Sequence, residues 1–279
     1  MLIFIVKNVD NRNTLSINFK ENFMKKSLIL LIPLSIIFSI TACSAKNVGI
    51  SNTKQLSEEQ QITLNSKKWN QKTKNLQVSH QPEYSDDFAG SVHSLAGFQK
   101  IHSGTWVIKA KVQNLYKVIN KKNLSSNIPP VYTRGEIKVD QVIAGTKQLN
   151  QKIINLAFWS GITSADNSYI FESGELKKIN HSILIQDDNV PLPKIGSEII
   201  LSIQNVDWDF YSSNDQFAEN GFTKGTTFQP VMATIHFWIK EPGTEKFVLN
   251  NSLIKNKQNA VKVPIEQNMT DEINQTYNN

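Results

Sequence analysis

The sequence predicts a mostly β globular domain, and three observations carry that prediction. Residues 131–142 alternate, with Thr133, Gly135, Ile137, Val139 and Gln141 on one face and Arg134, Glu136, Lys138 and Asp140 on the other. A period of two is the mark of a half-buried strand. Further β-branched runs follow, each bounded by a glycine or a Pro/Lys/Gly turn. No long amphipathic helix interrupts them.

The elements are predicted in order as follows. Leu95, Phe98 and Ile101 stand at helical spacing, which places a short helix over Ser91 to Ile101. Thr105 to Val112 (TWVIKAKV) is the first strand and Val131 to Val142 the second, with Gly145 supplying the turn after it. Ile153 to Phe158 (IINLAF) is the next, closed by Ser160-Gly161. Ser182 to Ile185, Glu198 to Ile203 after the Lys194-Ile195-Gly196 turn, and Met232 to Ile239 complete the set. These make residues 93–249 a barrel-like domain. Residues 43–92 are rich in Ser, Asn, Gln and Lys and read as a flexible tether, within which Ser57-Glu58-Glu59-Gln60 has the form of a capping box. Residues 250–279 read as a polar tail to which only Ala260 to Ile265 adds a strand, the last dozen residues being expected to lack order.

The N-terminus speaks to location. Met24-Lys25-Lys26 and the apolar run Ser27 to Ile40 have the layout of a secretory signal. The run is shorter than the roughly 20 residues of a spanning helix. It ends in Ile40-Thr41-Ala42-Cys43, which resembles the lipobox of bacterial lipoproteins: an aliphatic residue, two small ones, then cysteine. The resemblance implies that Cys43 receives a lipid, that the chain is cut before it, and that the membrane is a partner through that lipid. Cys43 is the only cysteine, so no disulfide within the chain competes for it. Residues 24–42 are then a signal peptide, and 1–23 an upstream extension of the reading frame, with translation beginning at Met24.

The order of elements brings a second resemblance. "TWVIKAKV", the long strand ending in "VDQVIAGT", then "IINLAFWSG" and "LPKIGSEIILSIQ" are similar to a small OB-like β-barrel found in exported bacterial proteins. The resemblance implies a fold, with a β-sandwich as the alternative, and transfers no catalytic residue.

Charge excludes one class of partner. The chain carries +6; residues 1–42 hold Lys7, Arg12, Lys20, Lys25 and Lys26 against Asp10 and Glu21, so their removal takes +3 and leaves +3. A charge this small, with no dense basic run, argues against nucleic acid. Arg12 and Arg134 are the only arginines, which suggests an A+T-rich coding sequence.

Catalytic signatures are missing. His80, His93, His102, His181 and His236 form no zinc-binding spacing, so neither a metal nor another cofactor is expected. Asp207-Trp208-Asp209 lacks the glycine and distal glutamate of an EF-hand, and the adjacent pairs Asp86-Asp87 and Asp187-Asp188 read as turn formers. Ser160 lacks the nucleophile-elbow context. Aromatics do concentrate, at Trp159, Trp208, Phe210, Tyr211, Phe217, Phe222, Phe228, Phe237 and Trp238. Trp208 and Tyr211, in a loop-like stretch, are the candidate ligand-binding residues, for an envelope protein or a glycan. The expected function is a membrane-anchored envelope lipoprotein with a non-catalytic binding module. The alternative is an exported hydrolase using dispersed carboxylates or histidines.

Overall fold

The computed structural model describes residues 56–80, 94–100, 104–119, 131–172, 175–208, 214–252 and 264–278. The first elements are α1 (Glu58–Thr73), β1 (Val78–His80), α2 (Leu95–Phe98), β2 (Thr105–Lys117), β3 (Tyr132–Ala144) and β4 (Ile153–Trp159). Then come β5 (Gly161–Ile162), β6 (Ser168–Glu172), β7 (Glu175–Ile179), β8 (Leu184–Gln186) and β9 (Glu198–Asn205). The chain continues through α3 (Asn214–Glu219), β10 (Thr227–Pro230), β11 (Phe237–Lys240), β12 (Val248–Leu249) and α4 (Pro264–Tyr277).

Five of these strands close a barrel. β2 pairs antiparallel with β3 and β3 with β4; β4 takes β10 in parallel; β10 pairs antiparallel with β9, and β9 returns antiparallel to β2. Numbered by position in the barrel, the order is first, second, third, fifth, fourth and back to first, with the third and fifth parallel. That is the arrangement of an OB-like barrel. The β9–β10 pairing closes the sheet on itself, which a sandwich does not do. β11 and β12 extend the sheet beyond β9. β1, β8 and β5 form a small side sheet, and β6 and β7 a hairpin.

Alternation builds the interior. Thr133, Ile137 and Val139 on β3 have no exposed surface, and Ile137 and Val139 share a core with Ile108, Ala110 and Val112 of β2 and Ile199, Leu201 and Ile203 of β9, also buried. The inward phase changes at the end of β3. The register shifts where Lys109 pairs with Gln141 and Ala110 with Val139, so Val142 is buried and Gln141, expected inside, lies at the surface. A bulge of this kind bends a barrel strand and turns one side chain outward. Gly135 faces inward because a Cβ there would lie 2.5 Å from the Phe158 ring.

Three flanking segments depart from expectation. Met232 does not begin a strand: it stands at φ 49°, and its carbonyl accepts the N–H groups of Ile235 and His236 in a tight turn, so β11 starts only at Phe237. α2 is shorter than the predicted helix, four residues long and capped by Ser94, whose Oγ accepts from the Gly97 N–H at 3.1 Å. The polar C-terminal segment forms α4, because Met269, Ile273 and Tyr277 repeat every four residues and bury one stripe beside Trp238, Phe247 and Leu249. Lys109 Nζ donates to the Tyr277 carbonyl at 2.7 Å, a cation placed at the negative end of the helix dipole. The added strand expected at Ala260 to Ile265 lies largely outside the described residues.

Helix α1 packs where the tether was expected. Its capping box is complete: Ser57 Oγ accepts from Gln60 N–H, and Gln60 Oε1 accepts from Ser57 N–H. Ile62 and Trp69 enter the barrel core, and Asn65 Nδ2 donates to the Gln113 carbonyl at 3.1 Å. Glu58 accepts from Lys138 Nζ at 2.5 Å and from Gln113 Nε2 at 2.9 Å. The Lys138 hydrogen bond, then the one from Gln113, hold the Glu58 carboxyl below its usual 4.5. A lowered carboxylate pKa adds stability that is complete above the unfolded value and is lost as pH falls through the folded one. Glu58→Gln is therefore expected to lower the melting temperature slightly at pH 7, the pair being exposed. Wild type and variant should converge as the pH of the melts falls through the lowered Glu58 pKa. A constant gap across that series would show that the carboxylate charge does not clamp α1.

Candidate functional site

Register across three strands assembles one polar patch. On the outer face Tyr116 lies opposite Arg134 and Arg134 opposite Ala157; in the next row Asn114 lies opposite Glu136 and Glu136 opposite Asn155. Tyr132 and Trp159 form the row on the other side. The alternation that buries Thr133 and Ile137 also aims Arg134 and Glu136 outward.

Arg134 is half-buried and its environment is unusual for a cation. Its guanidinium stacks over the Tyr116 ring, with Cζ 4.0 Å from the centroid. Nη1 donates to Asn155 Oδ1 at 3.0 Å. Nε is buried without an acceptor, and no carboxylate of the described residues lies within ion-pair distance of the group. Glu136 is turned elsewhere, accepting from the Tyr116 hydroxyl at 3.2 Å. Burial, then the negative charge of Glu136, push the Tyr116 phenol above its usual 10.0, so it remains a neutral donor.

Residues 206–208 and 214–226, between β9 and β10, pack over this face. Val206, Phe217 and Phe222, with Trp208 against them, pack onto Val118, Tyr132 and Ala157. The rings of Phe217 and Phe222 lie 4.8 Å apart, Phe217 and Tyr132 5.4 Å, and Trp208 meets Phe217 edge-on at 5.8 Å. Asn220 fastens the segment to the end of β2, accepting from Ile119 N–H at 2.8 Å and donating to its carbonyl at 3.2 Å. Gly221, at φ 79°, lies against the guanidinium: a Cβ there would be 3.2 Å from Cζ, 3.3 Å from Nη2 and 3.4 Å from Nε of Arg134. Only glycine fits both that backbone and that approach.

Trp208, expected as a ligand contact, is half-buried, and its indole Nε1 is buried with no acceptor. Tyr211, Cys43 and the lipobox residues Ile40, Thr41 and Ala42 lie outside the described residues. Trp159 is the most open of the aromatics on this face, 58% exposed and edge-on to Tyr132 at 6.2 Å. Sequence reasoning missed Arg134, Tyr116 and Asn155. One signal was available, the sole arginine after residue 12 set on the polar face of an alternating strand.

The other polar residues meet in ordinary arrangements. His80 Nδ1 and Asp188 Oδ1 pair at 2.9 Å on the surface, and His181 Nε2 lies 3.3 Å from Gln77 Oε1. His236 is buried against Phe98 and Trp238, immediately before β11. Ser160 Oγ accepts from the Asp187 N–H at 3.1 Å, and Asp187 Oδ1 accepts from Asn189 N–H in a turn. His93 and His102 lie outside the described residues. Among the described residues no three of His, Cys, Asp and Glu are grouped as metal ligands would be. An open groove of about 750 Å³ runs beside α1, floored by Ile62, Ile195 and Pro242 and edged by Lys67, Lys74 and Lys111.

Comparison with known proteins finds no matching family model, no matching curated protein and no matching solved structure. The roles of these side chains therefore rest on their geometry.

Proposed function

We propose that this chain is a lipid-anchored, extracytoplasmic lipoprotein whose barrel is a non-catalytic binding module, its ligand seated on the outer face of β2, β3 and β4 beside Trp208 and residues 214–226. The observation that carries the site is the clustering of unsatisfied polar atoms. Three buried side-chain N or O atoms of the described residues lack a partner, and two of them, Arg134 Nε and Trp208 Nε1, belong to this face and its cover. An unmade buried hydrogen bond costs about 1–3 kcal/mol, a cost that a ligand accepting from these donors would offset. OB-like barrels bind oligosaccharides and oligonucleotides on this face and in the loops beside it. The signal and the Ile40-Thr41-Ala42-Cys43 sequence support the anchor.

Thermal melts against cell-wall fragments, neutral and acidic oligosaccharides and peptides test the module. Saturating one site at 100 times its dissociation constant adds about 2.7 kcal/mol, which a melt resolves. Trp159→Ala, at an exposed position, is expected to leave the unliganded melt nearly unchanged and to weaken binding by about 1–3 kcal/mol, the worth of one stacking platform. Equal ligand shifts in wild type and in Trp159→Ala and Trp208→Phe variants would place the ligand elsewhere; no shift from any class would remove the module.

A further inference from the structure

We infer that Arg134 is the receptor for a carboxylate, and that the ligand of this face is a glycan carrying an isolated acidic sugar. The inference rests on the binding-module reading and narrows it to a ligand class.

Three neighbours hold the guanidinium: Tyr116 covers one face of its plane, Gly221 stands so near that a Cβ on it would be 3.2–3.4 Å from Cζ, Nη2 and Nε, and Asn155 takes Nη1. The edge formed by Nε and Nη2 has no acceptor among the described residues. Two parallel N–H donors on one edge match the two oxygens of a carboxylate. A half-buried cation with no counter-charge among the described residues is costly to hold, and a ligand anion would supply one. Nε is buried beside Gly221, so a carboxylate reaches this edge only if the Gly221 turn shifts.

Residue choice points the same way. The chain carries 30 basic residues, of which Arg12 and Arg134 alone are arginine. Lysine satisfies a need for simple positive charge throughout this chain. Arginine differs in its planar fork and its ability to stack on an aromatic ring, and both properties are in use at Arg134.

Neighbouring charge narrows the ligand further. Glu136 lies one row from Arg134 on the same face, beside Asn155 and Asn114. It repels a second anionic group, so the patch has no track for the evenly spaced phosphates of a nucleic acid, which needs a basic groove. Neutral sugar units beside one acidic unit meet no such repulsion. Trp159, one row beyond on the other side, presents an exposed ring on which a sugar stacks.

Nitrogen-15 NMR of the full chain tests this directly. Arg134 is the sole arginine after residue 12, so the Nε–H signal lost in Arg134→Lys is its own. Titration with glucuronate is expected to move the Arg134 signal saturably, and glucose is expected to leave it in place. Sialyllactose should bind more tightly than lactose, and Arg134→Lys should weaken sialyllactose binding roughly 10- to 100-fold, the range of a charge-assisted hydrogen bond. An Arg134 signal that ignores glucuronate, or sialyllactose binding unchanged in Arg134→Lys, would overturn the inference. A stronger response to a single-stranded oligonucleotide or an acidic peptide would overturn the glycan assignment. Neutral oligosaccharide binding that depends on Trp159 and not on Arg134 would keep the module and remove its carboxylate receptor.

Discussion

Trp238→Ala is expected to lower the melting temperature by roughly 6–20 °C, because Trp-to-Ala truncation in a core costs about 3–5 kcal/mol and each kcal/mol moves a domain of this size by about 2–4 °C. The side chain has no exposed surface and sits where three elements meet. It lies on β11 opposite Ile200 of β9, meets Phe98 of α2 edge-on at 5.3 Å, and donates from Nε1 to Thr270 Oγ1 of α4 at 3.0 Å. Met269, Ile273 and Val107 complete the cluster. Removing the indole opens a cavity against α4, which has no strand pairing to hold it. Proteolysis at the C-terminal segment should therefore accelerate well before the barrel melts. Trp238→Phe keeps most of the apolar volume and should recover more than half of the loss. A fall below about 3 °C for the alanine variant would mean that α4 does not pack on the barrel in solution.

The same helix shows where the sequence was legible and where it was not. β3 could be read directly, since its two faces meet different solvents and the side chains record it. α4 was obscured by composition: PIEQNMTDEINQTY is polar overall, and Met269, Ile273 and Tyr277 reveal their spacing of four only if a helix is assumed. α1 was half-legible, its capping box being local while the partners of Ile62 and Trp69 are far along the chain. The bulge near Gln141 and the turn at Met232 depend on tertiary pairing and left no mark in the alternation. The site was harder still. Tyr116, Arg134, Asn155 and Gly221 come from four separate segments, and only the register of β2, β3 and β4 brings three of them into neighbouring rows. Trp208 was visible as an aromatic, whereas its buried indole nitrogen required the packing of Phe217.

Cys43→Ala is expected to abolish lipid attachment completely and to leave the chain in its signal-bearing form. The lipid proposed at Cys43 is bonded through the only thiol in the sequence, so no second site substitutes for it. Each buried methylene of an acyl chain contributes about 0.8 kcal/mol, which makes two chains a stable anchor and one chain a marginal one. Membrane partition alone is a poor readout, because the retained apolar run Ser27 to Ile40 also favours the bilayer. Two other measurements separate the cases: incorporation of a tagged palmitate, and the intact mass, which in the processed wild type lacks residues 1–42. The variant should show neither label nor cleavage. Normal labelling of Cys43→Ala would remove the anchor from the proposal and leave the binding face untouched.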